Sequence, residues 1–537
     1  MIRKRSDGGV LFLVGAFFLM FTALACNYFR IAFEGRYVRA AEQRSELTIS
    51  AGESQGTVYD CNMVPIVNAG KKYYAVAVPY AIDPDKTAGY AVNREEFLGA
   101  VSKGSPFVFQ CRENTPESEG LTVFSIPERY ADEQSACHLI GYLSDGKGVS
   151  GIEYAYDRIL RGDSSENTVT YSTDGFGRVL IGDGKTVRRS TADKCGVVTT
   201  IDSEIQKICE ESGSDIEKGA IVVTDIYSGD ILGMCSFPGF DPENIDEALS
   251  SADSPLINRT LYSYGVGSIF KLVTSCEAIN EGMTGFIHVC RGYINVIDQR
   301  FNCHKYDGHG TENMTTALTD SCNTYFIALS QKLDTKSFRR LAHDLGYGRE
   351  TLLCAGMTGS AGVLPTVKDL DIPAELANFS FGQGKLSATP LQVNQMTCAI
   401  ANGGSVPSLR VIRGVTADGE TIANEKPPQL SKVIDDDTAA GLRRMMTAAV
   451  RDNSSSNARS LIVSTGAKTS TAQTGRYDEE GNEYCHAWIT GFFPADSPKY
   501  AVTVLAEDGG YGNDAAAPVF RSIAEGITIL DKKRNAG

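Results

Sequence analysis

Three short polar groups have the residue types to act together on a carbonyl. Gly265-Val266-Gly267-Ser268-Ile269-Phe270-Lys271 places two glycines before a helix that opens with Ser268. Residues three apart share a helical face, so Lys271 is presented beside the Ser268 hydroxyl. Ile269, Phe270, Leu272, Val273, Cys276 and Ile279 make that helix apolar nearly all round, which predicts burial. Desolvation lowers a lysine pKa and can make it a base for a serine nucleophile. The second group is Ser321-Cys322-Asn323, after Asp320 and ahead of an apolar helical run. The third is Lys468-Thr469-Ser470-Thr471, in a strand-like segment that Gly475 and Gly481 turn back on itself. A cationic, hydroxyl-rich strand suits a substrate carboxylate, and its backbone N–H groups can donate to an oxyanion.

Each group alone also reads as ordinary polar surface. Ser144-Asp145-Gly146-Lys147 in a turn and Ser455-Ser456-Asn457 in a polar loop show that chance supplies such matches. The combination carries the weight: Ser268, Ser321 and Lys468 occur in that order, separated by 53 and 147 positions. S-x-x-K, S-x-N and a K-T-G-type triplet in series resemble the penicillin-binding protein transpeptidases and class A β-lactamases. Further stretches resemble the penicillin-binding proteins. They are Val198-Thr199-Thr200-Ile201-Asp202, Ser228-Gly229-Asp230-Ile231-Leu232 with Pro238 and Asp241, Phe381-Gly382-Gln383-Gly384 with Thr389-Pro390-Leu391-Gln392, and His486 to Pro494. Gly56-Thr57-Val58-Tyr59-Asp60-Cys61-Asn62, Gly151-Ile152-Glu153 and Tyr156-Asp157 resemble the N-terminal module of that family. The likeness runs from about residue 50 to 525. No glycosyltransferase signature precedes it, which matches the class B type. Two departures stand out: Ser470 replaces the glycine of K-T-G, and Gln55 and Cys61 stand where arginines are usual.

The resemblance implies an acyl-enzyme formed by Ser268 on the D-Ala-D-Ala end of a peptidoglycan stem peptide, with Lys271 accepting its proton. Ser321 then relays a proton to the leaving nitrogen, and Asn323 orients Lys271 and the substrate amide. Lys468, Thr469 and Ser470 are expected to hold the terminal carboxylate, and the N–H groups of Ser268 and Thr471 to form the oxyanion hole. β-Lactams would imitate the dipeptide and block Ser268. Neither a metal nor an organic cofactor is expected. Alternatives are a D,D-carboxypeptidase or β-lactamase, a β-lactam sensor, or a cell-wall scaffold with an idle site. No deacylating glutamate is apparent, sensors of that kind need further membrane spans, and three ordered motifs argue against idleness. The family implies a SEDS-type glycan polymerase as membrane partner, and a homodimer is left open. No PASTA-like extension is expected after Ile529.

The elements that must position these groups are legible in outline. Ala51 to Arg189 is irregular, with a strand near Tyr73–Val78, helices near Asn93–Val101 and Gly151–Leu160, and hairpins or a linker over Arg161–Thr191. From Cys195 onward, strands are expected at Val197–Ile201, Gly219–Asp225 and Asp230–Phe237, with Asp202 capping a helix through Gln206 and Cys209. Helices follow at Ser268–Glu281, Asn323–Leu333, Lys336–Leu345 and Pro390–Asn402. Strands return at Leu461–Thr474, Tyr484–Phe493 and Tyr500–Ala506, before a helix over Pro518–Leu530. Strands at both ends with helices between describe an α+β domain, one antiparallel sheet covered by helices. The expected division is an anchor over 1–27, a smaller strand-rich pedestal or dimerisation-like module over 28–190, and a transpeptidase domain over 195–530.

At the N-terminus, Arg3, Lys4 and Arg5 precede Gly9–Cys26, a run of eighteen residues without charge. That length is close to a bilayer span, and the flanking charges favour a cytoplasmic N-terminus with the rest outside. A cleaved signal peptide ending at Ala23-Leu24-Ala25, or a lipoprotein signal at Cys26, is the competing reading. Tyr28–Ser45 reads as a short exposed helix. A net charge of −15 excludes the clustered basic surface that nucleic-acid binding needs. Fourteen cysteines are scattered without a CxxC, and Cys209, Cys235, Cys276 and Cys398 read as small buried hydrophobes. Cys290, Cys303, His304 and His309 match no common zinc spacing. Cys322 sits inside the second motif and is either an inert thiol or a redox partner of Cys303. Trp488, the one tryptophan, is expected to pack on its strand or to line the groove.

Overall fold

The computed structural model describes residues 7–33, 46–162, 165–182 and 184–536. Helix α1 (Asp7–Phe33) is the apolar N-terminal run, continued past Cys26 through Arg30. Its segment Gly9–Phe33 is long and apolar enough to cross a bilayer, and none of it is buried by protein. This fits a single-pass membrane protein. Of the exposed helix expected over 28–45, residues 28–33 continue α1 and 34–45 lie outside the described residues.

The chain forms two compact units. The first takes residues 1–54, 71–127 and 164–191, and is strand-rich. One three-stranded sheet joins Glu46–Glu53, Glu166–Ser172 and Lys185–Arg188, and a second joins Gly70–Ala77, Phe107–Cys111 and Leu121–Glu128. The single helix expected near Asn93 is present as Arg94–Ser102, started by Asn93, whose side chain accepts from Glu96 N.

The second unit takes residues 55–70, 128–163 and 192–537. Its centre is a five-stranded antiparallel sheet of β1 (Gly219–Asp225), β2 (Ile231–Phe237), β3 (Gly466–Tyr477), β4 (Glu483–Phe493) and β5 (Tyr500–Ala506). The spatial order is β2-β1-β5-β4-β3, so β3 is an edge. The two halves of this sheet are more than two hundred residues apart in sequence, yet β1 and β5 pair along their whole length, Gly219 with Ala506 through Asp225 with Tyr500.

Side-chain alternation explains why both faces are covered. Ala501 and Leu505 point into a core built with helix α2 (Lys271–Asn280), α3 (Asn323–Ser330), α4 (Pro390–Ala401) and α5 (Asp436–Arg451). Val502 and Val504 point the other way, onto α6 (Gly512–Ala536) and the helix Ser203–Ser212. Asp202 does cap the latter, accepting from Glu204 N and Ile205 N, and Arg534 near the end of α6 donates to the same carboxylate at 2.6 Å.

Boundaries differ from the sequence expectation where local signals compete. The helix expected over Gly151–Leu160 breaks into Gly151–Ala155 and Asp157–Arg161 at Tyr156, which leaves helical geometry at φ −122°. The last helix starts at Gly512, so Pro518 lies in its second turn rather than at its start. Helix α5 lacks a side-chain cap and was missed in the sequence.

The family-like Gly151-Ile152-Glu153 stretch has an electrostatic role in this unit. Glu153 is 1% exposed and takes Arg129 Nε and Nη2 at 2.7 and 2.6 Å, while Arg129 Nη1 donates to Gly56 O. Tyr130 Oη adds a third bond to Glu153 at 3.0 Å. Removing one partner of such a pair strands a buried charge, at a cost of about 3–5 kcal/mol. Glu153→Ala is therefore expected to lower the denaturant midpoint sharply; a loss of stability near the ~0–1 kcal/mol of a surface pair would contradict this account.

Candidate active site

Ser268 is not the first residue of a regular helix. Gly267–Phe270 form a tight 3-10 turn that feeds α2, with Gly267 at φ +59°. That positive φ and the close approach of Ser470 leave no room for a side chain at 267. The turn is held from outside: Gly267 N donates to Gly382 O at 2.8 Å, and Trp488 Nε1 donates to Gly265 O at 3.1 Å. Trp488 is fully buried, so it packs and pins the turn rather than lining a groove.

Lys271 follows one turn on and is wholly buried. Its amine is met by the second motif: Ser321 O at 2.6 Å, Asn323 Oδ1 at 2.7 Å and Ser321 Oγ at 3.1 Å. Ser321 adopts φ +52°, uncommon for a residue with a side chain, and this turns both its carbonyl and its hydroxyl toward Lys271. Ser321 Oγ also lies 3.0 Å from Ser268 Oγ and accepts from Lys468 Nζ at 3.2 Å. The Ser321 hydroxyl is thus the hub, touching the serine and both lysines.

Burial holds the Lys271 amine well below an ordinary lysine pKa, and the nearby Lys468 charge adds to it; Cys303 and Cys322 act in the opposite sense. Burial also pushes Lys468 down, to about 8. Burial thus disfavours a charge on either amine, most of all on Lys271, which suits a base beside an anion-binding cation.

Along β3, Lys468, Ser470 and Ala472 turn inward, while Thr469 and Thr471 are partly exposed. Lys468 Nζ donates to Thr469 O at 2.9 Å, and Thr471 Oγ1 accepts from Gly512 N at 3.3 Å. The Ser470 hydroxyl is buried against Gly267 without a hydrogen-bond partner. The Ser470 side chain, expected beside the carboxylate, packs beneath the serine turn on the inward face of the strand that it shares with Lys468.

Ser268, Lys271, Ser321, Asn323 and Lys468 therefore converge, with Thr469 and Thr471 on the exposed side of the same strand. The chance matches do not: Ser144 and Lys147 sit on a two-residue hairpin, and Ser455 lies in an exposed loop. All fourteen cysteines are free thiols, and Cys209, Cys235, Cys276 and Cys398 are buried. Cys303 and Cys322 lie close together, and their interaction lowers the Cys303 pKa and raises that of Cys322.

The fold and these clustered groups define a serine acyl-transfer domain. The profile of the penicillin-binding protein transpeptidase domain matches residues 219–525, and the chain belongs to that family. Its relatives are of the class B type. Stage V sporulation protein D of Bacillus subtilis is 29% identical over 410 residues, which is 72% of this chain and 61% of that protein. Peptidoglycan D,D-transpeptidase MrdA of Acinetobacter baumannii is 26% identical over 72% of this chain and 61% of its own length. The chain thus spans about three-fifths of these two relatives. Among solved structures, a peptidoglycan synthase complex coordinating polymerization and crosslinking matches with TM-score 0.69 at 24% identity, over 97% of this chain and 98% of the other. The ceftriaxone acyl-enzyme of penicillin-binding protein A from M. tuberculosis matches with TM-score 0.66 at 20% identity, over 89% and 98%.

Asn323 supplies one of the amine's short contacts, which strengthens as the amine takes up a proton and becomes charged; a hydrogen bond to a charged group is worth about 1.5–3 kcal/mol. Asn323→Ala is expected to slow covalent labelling by a fluorescent penicillin about 10- to 100-fold, with little change in melting temperature. Labelling at the unaltered rate would show that the contact does not position Lys271.

Proposed function

We propose that this chain is a class B peptidoglycan D,D-transpeptidase that cross-links stem peptides through a Ser268 acyl-enzyme. The observation that carries the reading is the Ser321 hydroxyl standing within 3.2 Å of Ser268, Lys271 and Lys468 at once.

In this reading Ser268 Oγ attacks the penultimate D-Ala carbonyl. Its proton moves to Ser321 as the Ser321 proton moves to the neutral Lys271 amine. The tetrahedral oxyanion is met by the N–H groups of Ser268 and Thr471. When the C–N bond breaks, Ser321 returns a proton to the leaving D-Ala nitrogen and is resupplied by Lys271. The amine of a neighbouring stem then attacks the ester, and Ser268 regains its proton. Lys468 and Thr469 hold the donor carboxylate. The free edge of β3 suits an extended peptide, since an edge strand offers unpaired N–H and C=O groups in register. Penicillins acylate Ser268 in place of the dipeptide and deacylate slowly.

The N-terminal helix anchors the enzyme, with basic Arg3, Lys4 and Arg5 on the cytoplasmic side and the catalytic unit outside. A smaller N-terminal module over 28–190 precedes the transpeptidase domain over 195–530, with 55–70 and 128–163 packed as part of the catalytic unit. A SEDS-type glycan polymerase in the membrane is the partner, a reading supported by the likeness to a chain of a peptidoglycan synthase complex.

The direct test is gel labelling by fluorescent penicillin beside Ser268→Ala. A stable band in the parent, absent in the variant, is expected. No band from folded parent protein would favour an idle scaffold, and a band that fades within minutes a hydrolase.

The two lysines also set a pH profile. The acylation rate should rise with pH as Lys271 loses its proton, then fall through about 8 as Lys468 loses its own and the carboxylate loses its cation. Lys468→Arg keeps the charge at all working pH values, so the alkaline fall should vanish even if the peak rate drops. An alkaline limb unchanged in this variant would remove Lys468 from that role.

A further inference from the structure

Three thiols and an imidazole from four separate segments meet beside the second motif. Cys290 ends β-strand His288–Cys290, whose partner strand Gly310–Glu312 follows directly on His309. Cys303 follows a second small hairpin, Tyr293–Val296 with Gln299–Asn302. Cys322 is the residue before α3 and lies between Ser321 and Asn323. One ligand atom from each of Cys290, Cys303, His309 and Cys322 lies within 4.8 Å of all the others. The cysteines are at most 2% exposed.

The spacing is that of a tetrahedral soft-metal site. Zinc bonds of about 2.3 Å to sulfur and about 2.0–2.1 Å to imidazole nitrogen require S···S separations of about 3.8 Å and S···N separations of about 3.6 Å. Cys303 Sγ is 3.6 Å from His309 Nδ1. A set of three sulfurs and one nitrogen selects zinc over hard cations such as calcium or magnesium.

The surrounding segment needs a cross-link. Residues 287–312 fold as two-stranded hairpins, which are marginal alone in water. Ile287, Val289, Ile297 and Tyr306 are all more than half exposed, so little core holds them. A Cys303–Cys322 disulfide would use two of the four groups and leave Cys290 and His309 converging on nothing. A metal uses all four.

We propose that Cys290, Cys303, His309 and Cys322 form a closed Cys3His site for one zinc ion, which fastens the two hairpins to the Ser321-Cys322-Asn323 motif. Four protein ligands leave no open position, so the ion is structural. On binding, each thiol gives up its proton to solvent and bonds as thiolate, while His309 binds as neutral imidazole. Holding Cys322 fixes the residues on either side of it, and with them three of the oxygens around Lys271. His304, whose Nδ1 is 3.9 Å from Cys303 Sγ, stays outside the ligand set.

The test is the metal content of the full chain, purified in detergent under reducing conditions without chelator. One zinc per chain is expected by elemental analysis, retained in His304→Ala and lost in Cys290→Ser and in His309→Ala. Should these variants not fold, the parent protein decides: cobalt exchanged for zinc should give the thiolate charge-transfer and intense d–d bands of a tetrahedral site. Folded parent protein that holds neither metal would overturn the proposal, as would zinc retained in both ligand variants. So would a Cys303–Cys322 disulfide, found by mass spectrometry after alkylation, as the state of the exported chain. None of these readouts depends on Ser268 reacting with penicillin.

Discussion

An amine buried in an apolar core is the constraint around which the catalytic unit is arranged. Lys271 is wholly enclosed by α2 and its neighbours, at a position where an unpaired charge would be very costly. The second motif answers that cost with two oxygens from Ser321 and one from Asn323. The unusual backbone of Ser321 goes with this: at φ +52° its carbonyl and its hydroxyl both meet the same nitrogen. The same burial, together with Lys468, favours the neutral amine, which is what a base at this position would require.

The edge strand β3 is tied to that arrangement through the serine turn. Ser470 lies so close beneath Gly267 that no side chain fits there, and Gly382 accepts the Gly267 N–H. Trp488, opposite Ser470 across the ladder, fixes the turn from the next strand. The serine in place of the usual glycine therefore faces the turn. It adds a buried hydroxyl without a protein partner, at a cost of about 1–3 kcal/mol.

The hairpins carrying Cys290, Cys303 and His309 extend the same logic outward. They have few apolar contacts of their own, and their thiols converge on the one residue of the second motif that does not face Lys271. Support for the site thus comes from behind the motif as well as from α2.

Much of this was legible in sequence because it is local. The spacing of Ser268 and Lys271, the apolar character of α2, the capping by Asp202 and the strands Gly219–Asp225 and Tyr500–Ala506 depend on neighbours a few positions away. So does the apolar run of α1. Order alone separated the three working motifs from their chance rivals at Ser144 and Ser455. What the tertiary structure decided is which distant groups meet. The alternation of β3 sends Ser470 inward and Thr469 outward, a matter of register against β4. Ser321 is a hub because its backbone turns against propensity to serve Lys271 fifty residues earlier. The fourth member of the thiol and imidazole cluster, Cys322, was hidden inside a catalytic motif, so no spacing rule along the chain could have found it. Local chemistry is written in adjacent residues; convergence depends on the packing of segments hundreds of residues apart, and only the folded chain sets that.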